Sequence, residues 1–352
     1  MVRSVIVGTG FIGAVHARAV RRAGGVTVGV VGRTAEGAAR TADAWEVGES
    51  SSSLAALLDR VDADLVHVCT PNALHAEQVG AALSANVNVI CEKPLGVSAP
   101  QAEAMWQAAK ASQVVHAVPF AYRFYPAVRE LRARLRSGGR VFLIHGGYLQ
   151  DWLANPVTTN WRTEPAAGGQ SRAFADIGVH WCDLAEFVTG DRICALTAVT
   201  ANVHDRSASH PTEDLAALLF RTSGGATGSM QVSQVSWGRK NRLELYIDTE
   251  RAAFGFEQER PDRLWVGGAA GATILERGSG FEAPEAHRFE RVPAGHPQGY
   301  QDCFDAFVAD VYAALDGSAP DGLPTFADGY RAAVLTDAVL ASVADGGWVR
   351  VD

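Results

Sequence analysis

The sequence predicts a parallel α/β domain over residues 1–120 and an α+β domain over residues 121–352, with a large, mostly antiparallel sheet in the second. Three observations carry this prediction: the length, the short apolar strands of the first third, and the longer alternating strands that follow. Because domains usually have about 100 to 200 residues, a chain of 352 residues favours two of them.

The first third alternates strand-sized apolar runs with polar, alanine-rich stretches that have helical character. Strands of this kind are typical of a parallel sheet buried on both faces. The predicted strands are 4–7, 27–31, 65–69, 87–91 and 114–118.

After Phe120 the strand-like segments become longer and alternate between apolar and polar residues. One strong helix, at 176–187, interrupts them, and two helices, at 299–315 and 327–344, end the chain. This order predicts an antiparallel sheet with helices on one side. The predicted strands are 141–149, 193–203, 215–221, 225–235, 243–249 and 252–256.

Composition and charge limit the classes of function. Hydrophobic residues make up 47% and charged residues 20%, which is close to a globular average and argues against disorder. The net charge of −8 argues against a nucleic acid or an anionic membrane as partner, since either needs a basic surface. We therefore expect a small-molecule ligand.

Cysteine usage indicates a reducing compartment. The five cysteines include no C-x-x-C pair, so neither a disulfide framework nor a zinc knuckle is expected. The N-terminal residues enter an apolar strand without the pattern of a signal peptide, and no apolar run is long enough to span a membrane. We expect a cytoplasmic protein without a resident metal.

A glycine-rich loop joins the first strand to the first helix. It reads Gly8-Thr9-Gly10-Phe11-Ile12-Gly13, the pattern G-x-G-x-x-G. The first glycine permits a tight turn, the second lets the backbone approach a diphosphate, and the third allows the helix to pack on the strand. The helix N-terminus then binds the diphosphate. This context predicts a dinucleotide site rather than glycines that serve only a turn.

The end of the second strand indicates which dinucleotide binds. NAD enzymes usually carry an acidic residue there, which binds the ribose 2′-hydroxyl, and NADP enzymes often carry an arginine. This chain has Arg33 and Thr34 at that point and no carboxylate. These residues favour NADP, while Glu36, which either caps the next helix or reaches the ribose, leaves NAD open.

Two further motifs follow strands of the parallel sheet, at the carboxyl edge where ligands of such sheets bind. One runs from Thr70-Pro71-Asn72 to His75, and the other is Glu92-Lys93-Pro94. We expect the cofactor to contact both of them, at Thr70, Pro71, Asn72, His75, Glu92 and Lys93.

Four motifs, in this order and spacing, resemble the Gfo/Idh/MocA family, named for glucose-fructose oxidoreductase, inositol dehydrogenase and a rhizopine catabolism protein. They are the glycine loop, the Thr70-Pro71 motif, Glu92-Lys93-Pro94, and Gly168-Gly169 followed by Asp176-Ile177-Gly178-Val179-His180. The resemblance covers nearly the whole chain.

The resemblance implies a Rossmann domain and a second domain whose open-faced sheet often packs against a partner subunit, as a homodimer or homotetramer. It also implies NAD(P)-dependent oxidation or reduction of sugars, sugar derivatives and cyclitols. By the family's motifs, the catalytic residues are Lys93, Asp176 and His180.

The residue types support this assignment. Asp176 and His180 are four residues apart, so on a helix they share a face, and the carboxylate can orient or charge the imidazole. His180 is the candidate base, and Lys93 is expected to meet the pair in the cleft between the domains and to stabilise an alkoxide. The alternative interpretation is a solvated lysine, a helix cap and a partly buried histidine.

Polar and aromatic residues near the catalytic segment suit a polyol. We expect substrate contacts from Tyr122, Gln150, Trp161 and Arg162, besides Lys93, Asp176 and His180, and Arg162 also serves as a candidate cofactor contact. Because Arg123 and Arg172 also lie near the catalytic segment, an acidic sugar stays open as a substrate.

Two other functions stay open at this point. A tightly held NAD could support glycoside cleavage or epimerisation by transient oxidation. A non-catalytic protein could bind the dinucleotide only to sense it.

Overall fold

The computed structural model describes residues 1–206 and 212–351, which form two compact units. The first unit comprises Met1–Ala121 and Gln301–Arg331, and the second comprises Tyr122–Tyr300 and Ala332–Asp352. The helices of the two units are α1 (Phe11–Arg22), α2 (Ala35–Trp45), α3 (Leu54–Leu58), α4 (His75–Ser84), α5 (Ala99–Ser112), α6 (Pro126–Leu135), α7 (Pro165–Gly168), α8 (Val179–Thr189), α9 (Pro284–His287), α10 (Tyr300–Leu315) and α11 (Phe326–Asp345).

The first unit contains a six-stranded parallel sheet in the order β3-β2-β1-β4-β5-β6. Its central strands are almost completely buried, as the runs of apolar residues predicted. This strand order is that of a Rossmann fold and confirms the predicted class of the domain. The strands are β1 (Arg3–Val7), β2 (Val26–Val31), β3 (Ser50–Ser51), β4 (Leu65–Val68), β5 (Asn88–Cys91) and β6 (His116–Ala117).

The second unit contains a nine-stranded sheet in the order β14-β13-β12-β11-β7-β10-β9-β8-β15. Only the central pair, β7 and β10, is parallel, so the predicted mostly antiparallel sheet is confirmed. The strands are β7 (Val141–Leu149), β8 (Ile193–Ala201), β9 (Leu215–Thr222), β10 (Thr227–Ser233), β11 (Arg242–Thr249), β12 (Ala253–Glu257), β13 (Arg263–Gly268), β14 (Gly271–Glu276) and β15 (Val349–Arg350).

The two faces of this sheet differ in exposure. Helices α6 and α8 contact its strands, and the residues that alternate toward the buried face include Leu218, Phe220 and Met230. The strand register places a row of residues on the other face, with exposed apolar side chains near both ends. The row is Leu219, Ser229, His145, Tyr246, Gly255, Trp265 and Ile274.

A late segment of the chain returns to the first unit, which differs from the predicted second domain of residues 121–352. Within the first unit, the ring of Phe304 packs edge-on against His16 with centroids 5.2 Å apart. A Cβ atom added to Gly329 would lie 2.9 Å from Leu95 and from Val118. Residues 301–331 therefore complete the core of the first unit, a long-range packing that no local pattern encodes.

No helix within the described ranges has the length and apolar character needed to cross a membrane.

Gly329→Ala tests this packing of the returning segment. Because the new methyl group would meet the Leu95 Cβ and Val118 Cγ2 atoms, we expect the free energy of unfolding to fall by about 1 to 3 kcal/mol. Urea denaturation measures the change. Gly80→Ala is the matched control, because this helical glycine has open space around it and alanine there should stabilise the helix by up to about 1 kcal/mol. Equal effects at both positions would contradict the packing.

Candidate active site

The glycine loop has the local geometry that a diphosphate requires. Gly8 has a φ of +120°, and a Cβ atom there would lie 2.5 Å from the Cys69 carbonyl oxygen. A Cβ atom on Gly13 would lie 2.1 Å from the Gly8 carbonyl oxygen, whereas one on Gly10 would meet nothing within 4 Å. Gly8 and Gly13 therefore permit close backbone packing, and Gly10 leaves the N-terminus of α1 accessible to a ligand.

The end of β2 carries the residues predicted to choose the cofactor. Arg33, Thr34 and Glu36 are all exposed. The Thr34 Oγ1 atom accepts a hydrogen bond of 3.1 Å from the Gly37 amide, so Thr34 is the N-cap of α2. Glu36 lies in the first turn of that helix, where a carboxylate is favourable without any ligand.

His75 links the two motifs at the carboxyl edge of the parallel sheet. Its Nε2 atom lies 3.0 Å from the Thr70 carbonyl oxygen, and its Nδ1 atom lies 3.0 Å from the Pro94 carbonyl oxygen. The ring is fully buried, and burial lowers its pKa. The structure therefore gives His75 a different role from the expected cofactor contact: it joins the two ligand-facing loops from inside.

Glu92 is also held from inside, at both carboxylate oxygens. His16 Nε2 lies 3.1 Å from Oε1, and the Lys93 amide donates to Oε2 at 3.1 Å. Behind His16, its Nδ1 atom lies 2.9 Å from His67 Nδ1, and His67 Nε2 lies 3.3 Å from the Ser4 hydroxyl. Sequence analysis missed His67, because a single polar residue in an apolar strand has no motif.

The predicted catalytic segment of the second unit begins with a π-helical turn. This turn, Phe174–Gly178, carries Asp176 and runs directly into α8, where His180 is the second residue. A Cβ atom on Gly178 would lie 2.5 Å from the Phe174 ring, which explains why a glycine lies between Asp176 and His180. π-Helical turns are rare and are often found at functional sites.

Gln234 and Arg162 contact the Asp176 carboxylate. The Gln234 Nε2 atom donates to Oδ2 at 2.8 Å, and the Arg162 Nε atom lies 3.4 Å from Oδ1. The Arg162 guanidinium also stacks 4.4 Å from the centroid of the Trp161 ring. Arg162, which was predicted to contact cofactor or substrate, thus forms an ion pair with Asp176, and Gln234 is a contact that sequence analysis missed.

His180 is 8% exposed and lies against two tyrosines. The Tyr122 ring is edge-on to the imidazole with centroids 5.1 Å apart, and the Tyr148 ring lies 6.5 Å away. Burial, together with the neighbouring Tyr122, raises the pKa of Tyr148 well above its usual value, so the phenol stays protonated as a donor.

A neutral hydrogen-bonded network extends from these tyrosines. The Tyr122 and Tyr148 hydroxyls bond each other, and Tyr148 donates to Asn241 Oδ1. The Gln150 amide donates to the same Asn241 oxygen at 2.8 Å, and Trp152 Nε1 donates to Gln150 Oε1 at 3.0 Å. Tyr122 and Gln150, predicted as substrate contacts, are thus brought together with Asn241, which sequence analysis did not select.

Two of the three arginines near the segment are committed to buried carboxylates. Arg123 donates through Nε to Asp183 at 2.8 Å, and Arg172 pairs with Asp214. Because breaking a buried pair costs about 3 to 5 kcal/mol, neither is available to exchange its partner for a substrate anion. Two of the three arginines that could have bound an acidic sugar, Arg123 and Arg172, are therefore unavailable to it.

Trp181 and four of the five cysteines, Cys69, Cys91, Cys182 and Cys303, are core residues. Trp181 is fully buried, and its Nε1 atom donates to the Glu244 carbonyl oxygen at 2.8 Å. All five cysteines lie in the described part of the chain and form no disulfide. In the same part, residues 1–206 and 212–351, no group of three His, Cys, Asp or Glu residues is arranged to hold a metal ion.

The parallel sheet order and the open glycine loop define the class of protein: a Rossmann-fold protein that binds a dinucleotide. Comparison with known families agrees. The model described as the oxidoreductase family with an NAD-binding Rossmann fold matches residues 2–120, and that of the GFO/IDH/MocA C-terminal domain matches residues 128–253. The chain belongs to the Gfo/Idh/MocA family and is an NAD-binding oxidoreductase.

Individual relatives extend the comparison over the whole chain. Levoglucosan dehydrogenase of Pseudarthrobacter phenanthrenivorans is 30% identical, over 89% of this chain and 86% of its own length. Inositol 2-dehydrogenase of Rhizobium meliloti is 27% identical, over 98% of this chain and 97% of its own. A structure of levoglucosan dehydrogenase in complex with NADH and levoglucosan superposes with a TM-score of 0.91, at 29% identity and 99% coverage of both chains. The family predicted from the four motifs is confirmed.

Proposed function

We propose that the chain oxidises a secondary alcohol of a neutral sugar, sugar derivative or cyclitol, or reduces the corresponding ketone. The observation that carries this proposal is the arrangement around His180: a carboxylate held by two donors one helical turn away, and the neutral network of Gln150, Asn241 and Tyr148 nearby. Amide and phenol groups both donate and accept, which suits the hydroxyls of a polyol. The relatives named for levoglucosan and inositol support the same substrate class.

In the proposed reaction, the nicotinamide supplies the chemistry of hydride acceptance from the carbon that bears the hydroxyl. His180 accepts the hydroxyl proton as general base, and Asp176 orients the ring and stabilises the resulting imidazolium. Lys93 provides the positive charge that stabilises the developing alkoxide. In the reverse direction, His180 donates the proton to the carbonyl oxygen.

Residues of the first unit would hold the cofactor. The open Gly10 position and the N-terminal amides of α1 suit the diphosphate, with Thr9, Phe11 and Ile12 completing the loop. Thr70, Pro71, Asn72, Glu92 and Lys93 are proposed to line the carboxyl edge of the sheet beside it. We also propose a cytoplasmic location, since five cysteines without a disulfide are typical of a reducing compartment.

Substitution of the catalytic residues tests the proposal. We expect Lys93→Ala and His180→Ala each to lower kcat by at least about a hundredfold, the usual range for lost acid-base or electrostatic catalysis. Affinity for the nicotinamide cofactor should stay near normal. Steady-state kinetics on a panel of sugars and cyclitols, with cofactor titration by nicotinamide fluorescence, measures both quantities.

The exposed Lys110 and His287 provide matched controls, and Lys110→Ala and His287→Ala should leave kcat unchanged. Native mass spectrometry of the purified protein comes first. Cofactor that remains bound and does not exchange, with no net turnover of added cofactor, would contradict the proposal and favour transient oxidation. Exchangeable cofactor binding without turnover of any substrate would favour dinucleotide sensing.

We infer that Arg33 discriminates between the two dinucleotides, with NADP(H) preferred. Its guanidinium is exposed at the end of β2, where no carboxylate precedes it. The Arg33→Ala variant should lose about tenfold or more in NADPH affinity, as expected for a lost charge-assisted hydrogen bond, and little in NADH affinity. Fluorescence titrations with each cofactor measure this, and Arg60→Ala, another exposed arginine of the first unit, is the control. An equal loss for both cofactors would refute the role of Arg33.

We also infer that the chain forms a homodimer or homotetramer through the exposed face of the nine-stranded sheet. Apolar residues on that face are exposed to solvent: Val199 by 66%, Leu219 by 52% and Ile274 by 55%. Leu219→Asp should reduce the mass measured by light scattering to that of one chain, because an unpaired carboxylate would be buried in the interface. Val343→Asp, at an exposed position of α11, is the control. A monomeric wild-type protein would rule out the assembly.

A further inference from the structure

We propose that Gln234 is a positioning residue for the reaction, because it fixes the Asp176 carboxylate in one orientation. This inference rests on the proposed function, in which Asp176 serves His180. The carrying contact is the hydrogen bond of 2.8 Å from Gln234 Nε2 to Asp176 Oδ2. Gln234 is fully buried, whereas the Asp176 side chain is 16% exposed.

The backbone of Gln234 is anchored on both sides. Its amide donates to the Asp214 carbonyl oxygen at 3.0 Å, and its own carbonyl accepts from the Leu153 amide at 3.1 Å. The Asp214 side chain is itself fully buried and paired with Arg172. The side chain of Gln234 therefore starts from a fixed point just beyond the end of β10, and its reach to Asp176 is set by the fold.

The oxygen of the Gln234 side-chain amide indicates that this residue has a functional role and not a purely structural one. Gln234 Oε1 is buried and has no hydrogen-bond partner among the described residues. A buried acceptor that is left unsatisfied is destabilising, and an apolar side chain of the same length would avoid this penalty. Gln234 therefore stabilises the fold through its hydrogen bond to Asp176 and destabilises it through the unsatisfied oxygen. Such a cost in stability is expected of a residue that serves function.

A neutral donor also suits the chemistry assigned to Asp176. A hydrogen bond from an amide favours the ionised carboxylate without cancelling its charge, so the charge remains available to stabilise an imidazolium at His180. Arg162 meets the other oxygen at 3.4 Å, with its side chain 34% exposed. Gln234 is therefore the buried contact of Asp176, and Arg162 is the solvent-exposed one.

The experiment compares two substitutions at Gln234 with the same two at Gln107, an exposed glutamine of α5 in the first unit. Gln234→Met keeps the length and removes the donor. We expect kcat to fall at least tenfold, KM to stay within about twofold, and the thermal midpoint to stay equal or rise, because the unsatisfied oxygen is also removed. Gln107→Met should change none of the three.

Gln234→Glu adds a pH readout that a merely structural role would not produce. Arg162 and Gln234 face Asp176, and the nearby Tyr148 interacts with it electrostatically. A second carboxylate at position 234 would make ionisation of the pair harder, so the acid limb of the kcat profile should move up by about one pH unit or more. Gln107→Glu should leave the profile in place.

One measurement separates failure of this inference from failure of the proposed function. The pKa of His180, followed by NMR, is compared with and without Asp176→Asn, first in the wild-type chain and then in the Gln234→Met variant. We expect Asp176→Asn to shift the pKa of His180 at most half as far in the Gln234→Met variant as in the wild-type chain, whether or not a sugar is turned over. An unchanged effect, or a Gln234→Met variant with normal kcat and a lower thermal midpoint, would overturn the positioning role. A wild-type chain that turns over no substrate would refute the proposed function alone.

Discussion

The buried carboxylate of Asp214 is the interaction on which the site of the second unit depends. It pairs with Arg172, four residues before Asp176, and accepts from the Val203 and His204 amides. Its backbone carbonyl fixes Gln234. Arg206, which also lies 3.7 Å from Asp214, donates to backbone carbonyls of the loop that follows Trp152. Burial opposes ionisation, but the hydrogen bonds from Arg172 and from the His204 and Val203 amides, together with the charge of Arg172, lower the pKa of Asp214 below its usual value. Such a pair adds little net stability, yet losing either partner is costly, so it acts by fixing one arrangement of the surrounding loops.

In the first unit, neutral imidazoles rather than a guanidinium hold a buried carboxylate, that of Glu92. A carboxylate only accepts, so with neutral imidazoles His16 Nε2 donates to Glu92, and His16 Nδ1 must accept from His67. His67 Nε2 then accepts from the Ser4 hydroxyl, which lies 3.3 Å from that of Tyr312. Burial and the nearby His16 lower the pKa of His67 well below its usual value, in agreement with a neutral ring. The chain of bonds thus has one direction, and it connects the returning segment 301–331 to the loop that carries Lys93.

The sequence was most informative where a backbone requirement restricts the residue type. Gly8 and Gly13 leave no room for a Cβ atom, so the glycine loop could be recognised and its strand order anticipated. The same holds for the segment from Asp176 to His180, although its π-helical turn could not be predicted. Gln234, Asn241 and Asp214 escaped prediction because each is a single polar residue. The partners that give them a role, Asp176, Tyr122 and Arg172 respectively, lie 42 to 119 positions away. The pairing of Arg123 and Arg172 with carboxylates could not be predicted either, since only the fold determines whether a guanidinium meets a buried carboxylate or a ligand.

This distribution of charge bears on what the second unit recognises. With Arg123 and Arg172 committed to Asp183 and Asp214, and Arg162 facing Asp176, the groups that remain near His180 are phenols, amides and an indole. Arg123 and Arg172 are each paired with a buried carboxylate, and either would have to lose that partner to bind a substrate carboxylate or phosphate. A hydroxyl, by contrast, exchanges water for donors and acceptors of equal strength at little cost. The ion pairs that the fold has already formed thus remove two candidate anion-binding groups, and the network around Asn241 offers groups that both donate and accept hydrogen bonds.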